Sequence, residues 1–120
     1  MRSILSLMLG LALLTPAAAA LAEGKGDPAK GAESYKLYCA TCHGPTGLGD
    51  GPVGKTLNPP PRNFQAGDFK YGGTDQDIFD VITNGAAVKG GSALMAPWGA
   101  VIPKDEDRWN LVAYIRSLKK

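Results

Sequence analysis

The sequence predicts a small all-α domain, with three main helices standing around long glycine- and proline-rich loops. Three observations carry this reading. Three stretches place apolar side chains at helical spacing and carry helix end signals. No stretch shows a convincing strand alternation. Between residues 44 and 73, 13 of 30 positions are Gly or Pro. The chain has 120 residues, room for one domain at most.

Residues 1–22 hold 16 apolar side chains and a single charge, Arg2. Arg2 is a charged n-region, Ile4 to Leu14 an apolar h-region interrupted by Ser6 and Gly10, and Ala20-Leu21-Ala22 a small-x-small cleavage site. This segment is expected to be a secretory signal removed before Glu23, leaving residues 23–120 as a single domain. The alternative is a membrane anchor. A span needs about 20 apolar residues, and Pro16 interrupts this shorter run. No cysteine lies near the cleavage site to take a lipid, so no permanent membrane anchor is expected after cleavage.

The first helix is expected from Pro28 to about Cys39. Asp27 suits the N-cap, and Pro28 takes the first helical position, where a missing N–H costs nothing. Gly31, Ala32, Tyr35 and Cys39 share one face. The second helix is expected from Asp75 to Asn84, capped by Thr74, striped by Ile78, Val81 and Ile82, and stopped by Gly85. The third is expected from about Asp105 to Leu118. Its acidic start, Asp105-Glu106-Asp107, and basic end, Arg116 with Lys119 and Lys120, suit the helix macrodipole. Trp109, Val112, Ala113 and Arg116 form one stripe of it, and Leu111, Tyr114, Ile115 and Leu118 another.

Residues 23–120 contain only 18 Leu, Ile, Val and Phe side chains, against 23 Gly and Pro. So thin a set of large aliphatics struggles to build a core alone, and the domain calls for a staple: a disulfide, a metal or a large bound cofactor. Disordered chains share this composition but carry high net charge; here 12 Lys and Arg face 11 Asp and Glu in that stretch, a balance of +1. The same near-neutral balance argues against nucleic acid, which needs a basic field. A structureless loop as long as 44–73 is uncommon in a compact domain. It makes sense if the loop wraps something other than protein.

Cys39-Ala40-Thr41-Cys42-His43 supplies the candidate. These are the only two cysteines and the only histidine in the chain. The C-x-x-C-H spacing suits covalent haem attachment: two thiols three residues apart reach the two vinyl groups of one porphyrin, and the next residue sets an imidazole under the iron. Three plainer readings compete. A structural zinc site wants four ligands, and the chain has three Cys and His in all. A thioredoxin-type pair opens a helix after a strand, whereas this pair ends a helix and runs into Gly44-Pro45. A structural disulfide suits an exported protein but leaves His43 and the long loop without a purpose.

Counting addresses the sixth iron position. Met1 and Met8 would leave with the signal, so Met95 is the only methionine of residues 23–120. If a side chain of the usual haem-ligand types fills that position, it is Met95, on the Leu94-Met95-Ala96-Pro97-Trp98 loop. In isolation a flexible core filler is the better reading of such a methionine; the haem reading of the cysteine–histidine run favours ligation instead. His/Met ligation raises the reduction potential and fills both axial sites.

On these residues the chain resembles the class I mono-haem cytochrome c family over residues 27–120. The resemblance rests on Cys39-Ala-Thr-Cys42-His43, on Gly31 and Tyr35 before it, on the Met95 loop, and on Trp109-Asn-Leu-Val-Ala-Tyr-Ile-Arg116. It implies one covalently attached haem c per chain, bound through Cys39, Cys42, His43 and Met95, with His43 and Met95 on the iron. It implies a crossing of first and last helices, Gly31 and Tyr35 meeting Leu111 and Tyr114. The family also sets a proline carbonyl against the outer nitrogen of the ligating histidine, which fixes the ring. Pro61-Arg62-Asn63-Phe64 resembles that segment with one residue inserted; Pro52 is the rival, and the Pro60/Pro61 region is favoured. Arg62 and Tyr71 are candidates for the haem propionates, though Arg62 suits a merely solvated role equally. Trp98 is expected near the haem edge or closing the Met95 loop.

The expected function is electron transfer by a soluble periplasmic carrier, or by the electron-accepting subunit of a redox enzyme. Its expected partners are redox proteins: a dehydrogenase, a reductase or an oxidase. The competing class is an enzyme acting at an open iron, a peroxidase or small-molecule reductase, and Met95 discriminates the two. No nucleophile–base pair is left for hydrolysis, since the one histidine is assigned to iron.

Overall fold

The computed structural model describes residues 25–120 and Gly10. The signal expected over residues 1–22, Gly10 apart, and the cleavage point before Glu23 lie outside the described residues. Four α-helices run in the order α1 (Pro28–Tyr38), α2 (Ala40–His43), α3 (Asp75–Asn84) and α4 (Asp105–Ser117). Among the described residues there is no strand.

The helix ends follow local chemistry. The Asp27 carboxylate accepts the Ala29 N–H at 2.9 Å and caps α1 ahead of Pro28. The cap of α3 is reciprocal: the Thr74 hydroxyl accepts the Asp77 N–H at 3.1 Å, and Asp77 Oδ2 accepts the Thr74 N–H at 3.2 Å, satisfying two donors that a helix start otherwise leaves free. Helix α4 has no side-chain cap, but three acidic residues fill its first turn and Arg116 its last. The three main helices thus stand where expected. The cysteine–histidine run departs from expectation in one respect. Cys39 caps the end of α1, and Ala40–His43 forms a separate turn stopped by Gly44, at φ +84°.

Helices α1 and α4 cross at Gly31. A Cβ there would overlap the Asn110 carbonyl and come within 2.9 Å of the Tyr114 Cβ, so only glycine lets the two backbones approach this closely. One turn on, the Tyr35 and Tyr114 rings lie 5.0 Å apart. Leu111, also expected at this crossing, is fully buried in the same core as Tyr35. Helix α3 packs on α4, adding Ile78 and Ile82 to Leu111, Val112 and Ile115.

Two polar residues of α4 are buried, which the apolar stripes do not anticipate. Asn110 Oδ1 accepts the Asp27 N–H at 2.7 Å. Arg108 donates to the Ile102 carbonyl at 2.6 Å, pairs with Asp105 and lies over the Phe79 ring. Both fix loop backbone to the last helix.

The long loops are held by backbone hydrogen bonds rather than by a core of their own. The first wraps α2: Gly49 N–H donates to the His43 carbonyl (2.8 Å), Gly51 N–H to Cys42 (3.2 Å) and Val53 N–H to Thr41 (3.0 Å). Farther along, Phe64 N–H donates to the Gly47 carbonyl at 2.7 Å. The second long loop opens with a tight turn, Ala86–Lys89.

Candidate haem site

The loops and helices enclose a cavity of about 700 Å³, within the size range of ligand pockets. Cys39, Cys42, His43 and Met95 all line it, so the four residues singled out in the sequence meet at one place. Most of the remaining wall is apolar: Phe64, Phe69, Ile78, Ile82 and Ile115 among others.

His43 is set by its neighbours. Its ring stacks on Phe64 at 4.5 Å and 18°. Nδ1 is buried without a hydrogen-bond partner. Burial pushes the imidazole pKa down to about 4, with the nearby Arg62 backbone acting the other way. The ring is therefore neutral at physiological pH, the form that offers a lone pair to a metal. The nearby backbone belongs to Arg62, one residue beyond the favoured Pro60/Pro61 pair. The Pro61 and Arg62 carbonyls both lie beside Gly49.

Cys39 and Cys42 are free, half-buried thiols. Burial, reinforced by Cys42, pushes the Cys39 thiol up to about 12. It is protonated at neutral pH and a poor partner for disulfide exchange. Among the described residues no three His, Cys, Asp or Glu side chains gather as a metal cluster, so the zinc alternative finds no ligand set. The disulfide alternative is not formed.

The Met95 loop is pinned to the end of α3. Ala86 N–H donates to the Met95 carbonyl at 3.2 Å, Trp98 N–H to Ile82 at 2.9 Å and Gly99 N–H to Thr83 at 3.0 Å. Gly85, at φ +83°, admits the loop: a Cβ there would stand 2.9 Å from the Met95 carbonyl. Trp98 both closes this loop and lines the cavity, with its ring 5.7 Å from Tyr38. Arg62 and Tyr71 line the cavity too, and Arg62 is held by Asp68, carboxylate (2.7 Å) and carbonyl together.

An apolar cavity this large, in a domain with so few buried aliphatics, would leave the core hollow. Its two thiols, neutral imidazole and thioether are the donor set of a c-type haem, so the residues present fit that group. Sequence reasoning did not single out Phe64 as the support of His43, because the stack joins residues that lie far apart in the chain.

Comparisons with known proteins agree. The family model described as cytochrome c oxidase, cbb3-type, subunit III matches residues 26–115. The cbb3-type cytochrome c oxidase subunit FixP of Azorhizobium caulinodans is 40% identical over 70 residues, covering 58% of this chain and 20% of that protein. A chain of the Kuenenia stuttgartiensis reducing HAO-like protein complex superposes with a TM-score of 0.61 at 35% identity, covering 75% of this chain and 41% of its own length. This chain therefore spans a fifth of the length of the curated relative it matches. With the family match running from the cap of α1 into the last turn of α4, and both pieces of the candidate haem site inside it, the chain belongs to the cbb3-type subunit III family of class I cytochrome c domains, which transfer electrons and use haem c.

Proposed function

We propose that the chain is a periplasmic mono-haem cytochrome, working as a soluble carrier or as the electron-accepting subunit of a redox enzyme. The observation that carries this is the convergence of Cys39, Cys42, His43 and Met95 on one apolar cavity. Cys39 and Cys42 would hold one haem covalently, while His43 would offer its neutral imidazole and Met95 its thioether to the iron. Haem bound in this way supplies a one-electron couple. The apolar side chains that line the cavity would shield the group from water, and Arg62 and Tyr71, at the cavity wall, would serve its propionates. If His43 and Met95 both serve the iron, this chain would leave no place there for O₂ or a substrate, which favours electron transfer over the peroxidase or reductase reading.

The relatives named for an oxidase and for an HAO-like complex support a redox protein as partner. Among the described residues no helix is long and apolar enough to cross a membrane. Export rests on residues 1–22, and N-terminal sequencing of the exported protein should begin at Glu23.

The deciding experiment is mass spectrometry of the exported protein together with its reduced-state spectrum. The expected result is the mass of residues 23–120 plus one haem, with a low-spin six-coordinate spectrum. A colourless chain of unmodified mass would overturn the proposal. A high-spin spectrum with rapid CO binding would favour the enzyme reading.

A further inference from the structure

The turn that follows α3 is fastened back onto that helix by one side chain. Lys89 Nζ lies 3.1 Å from Asp77 Oδ1 and 3.3 Å from Asp80 Oδ2. Asp77 is itself fixed, because its other oxygen closes the cap at the start of α3. Lys89 ends the Ala86–Lys89 turn, and that turn carries the Met95 loop. The Gly91 N–H donates to the Ala86 carbonyl at 2.8 Å, and the Ala86 N–H donates to the Met95 carbonyl at 3.2 Å. A continuous set of contacts thus runs from the α3 cap, through Lys89 and Ala86, to Met95. All three charged side chains are about a quarter to a third exposed, so water and salt screen each pair, and the bridge gains by serving two carboxylates at once.

We propose that Lys89 is a positioning residue for Met95: bridging Asp77 and Asp80, it holds the 86–95 segment against α3 and keeps the thioether at the cavity. This rests on the reading of Met95 as the sixth ligand. An ammonium has three donors and serves two carboxylates at once. Without it, Asp77 and Asp80, three residues apart on one helix face, repel each other, and the turn loses its side-chain hydrogen bond and ion pairs to α3.

The test uses the exported holoprotein, reduced, and follows the rate of CO binding together with the reduction potential. Four variants are compared with the parent: Lys89→Gln, Lys89→Arg, Asp80→Asn and Met95→Ala. Lys89→Gln should speed CO entry about two- to fivefold, the scale of a solvent-screened pair. Asp80→Asn, which leaves the α3 cap intact, should give a smaller increase, and Lys89→Arg should stay near the parent. Met95→Ala should open the iron fully and lower the potential. If Met95→Ala changes neither quantity, Met95 is not the ligand and the underlying reading fails with the proposal. If Met95→Ala opens the iron while Lys89→Gln and Asp80→Asn bind CO as slowly as the parent, only the positioning role is overturned. A lower melting temperature with an unchanged CO rate counts as that second result.

Discussion

The Tyr35 hydroxyl donates to the Gly44 carbonyl at 2.7 Å, joining the crossing of α1 and α4 to the residue that follows His43. Tyr35 is almost fully buried, and its ring rests on Tyr114 of α4. One side chain therefore transmits the helix crossing to the end of the cysteine–histidine turn.

Tyr35→Phe removes that bond and keeps the ring. The Gly44 carbonyl retains a second donor, the Gly47 N–H at 3.2 Å, so it is not orphaned. The expected loss of stability is about 1 kcal/mol, an ordinary net hydrogen bond, read by denaturant unfolding of the holoprotein. Haem attachment should persist.

Gly31→Ala tests the crossing itself. Its Cβ would meet the Asn110 carbonyl, which is backbone and cannot swing aside. The helices must part, loosening Tyr35 and Leu111 as well. The expected cost is about 1–3 kcal/mol, the range for overpacking a tight core, despite the higher helix propensity of alanine. Equal or greater stability in the variant would show that the crossing is looser than described.

Much of this architecture is legible in sequence because its signals are local. Asp27-Pro28, Thr74 before Asp75 and the acidic run at Asp105 each announce a helix start within four residues. The meeting of Cys39, Cys42, His43 and Met95 is legible through chemistry, since so few residues of these types exist. What sequence does not disclose is set by partners far along the chain. Asn110 is buried because Asp27, 83 residues away, needs an acceptor. Arg108 looks like a solvated helix residue until the Ile102 carbonyl and Phe79 close over it. Lys89 reads as an ordinary loop lysine, because its two carboxylates lie on a helix that the chain has already left.

Replacing both Cys39 and Cys42 by alanine should leave a largely unfolded chain. The buried apolar set is small, and the cavity walls belong to it: Phe64, Ile78, Ile82 and Ile115 both line the cavity and form the core. Without attached haem those walls face a void lacking contact partners. Circular dichroism should show little helix and no sharp melt; a cooperative melt like that of the holoprotein would contradict this.

Docking on a redox partner should depend weakly on salt. Leu48 and Leu94 are exposed and stand at the cavity, 42% and 52% accessible, and they offer a small apolar contact beside it. With nearly balanced charge, long-range steering is slight. Association rates measured by stopped flow should change little as salt is raised, and a steep fall would point to a charged interface instead.

The Lys89 bridge also sets a pH window. The Thr74 hydroxyl bond first, and Lys89 second, hold the Asp77 carboxyl below its ordinary 3.8. Asp77 first, then Asp80, hold the Lys89 ammonium above its ordinary 10.5. For a depressed carboxyl, the stabilisation is complete above the unfolded value and is lost as pH falls through the lower folded one; for a raised ammonium, it is complete below the unfolded value and is lost as pH rises through the higher folded one. Lys70 and Tyr71 line the cavity along with Asp77, and Gln76 donates to Asp80 at 2.9 Å, so these groups share the field around the bridge. The difference in melting temperature between the parent and Lys89→Gln should therefore hold level between pH 3.8 and 10.5. It should shrink on the acid side as Asp77 is protonated, and on the alkaline side as Lys89 loses its proton. A difference that instead varied steadily through neutral pH would mean that another titrating group, not this bridge, fastens the turn.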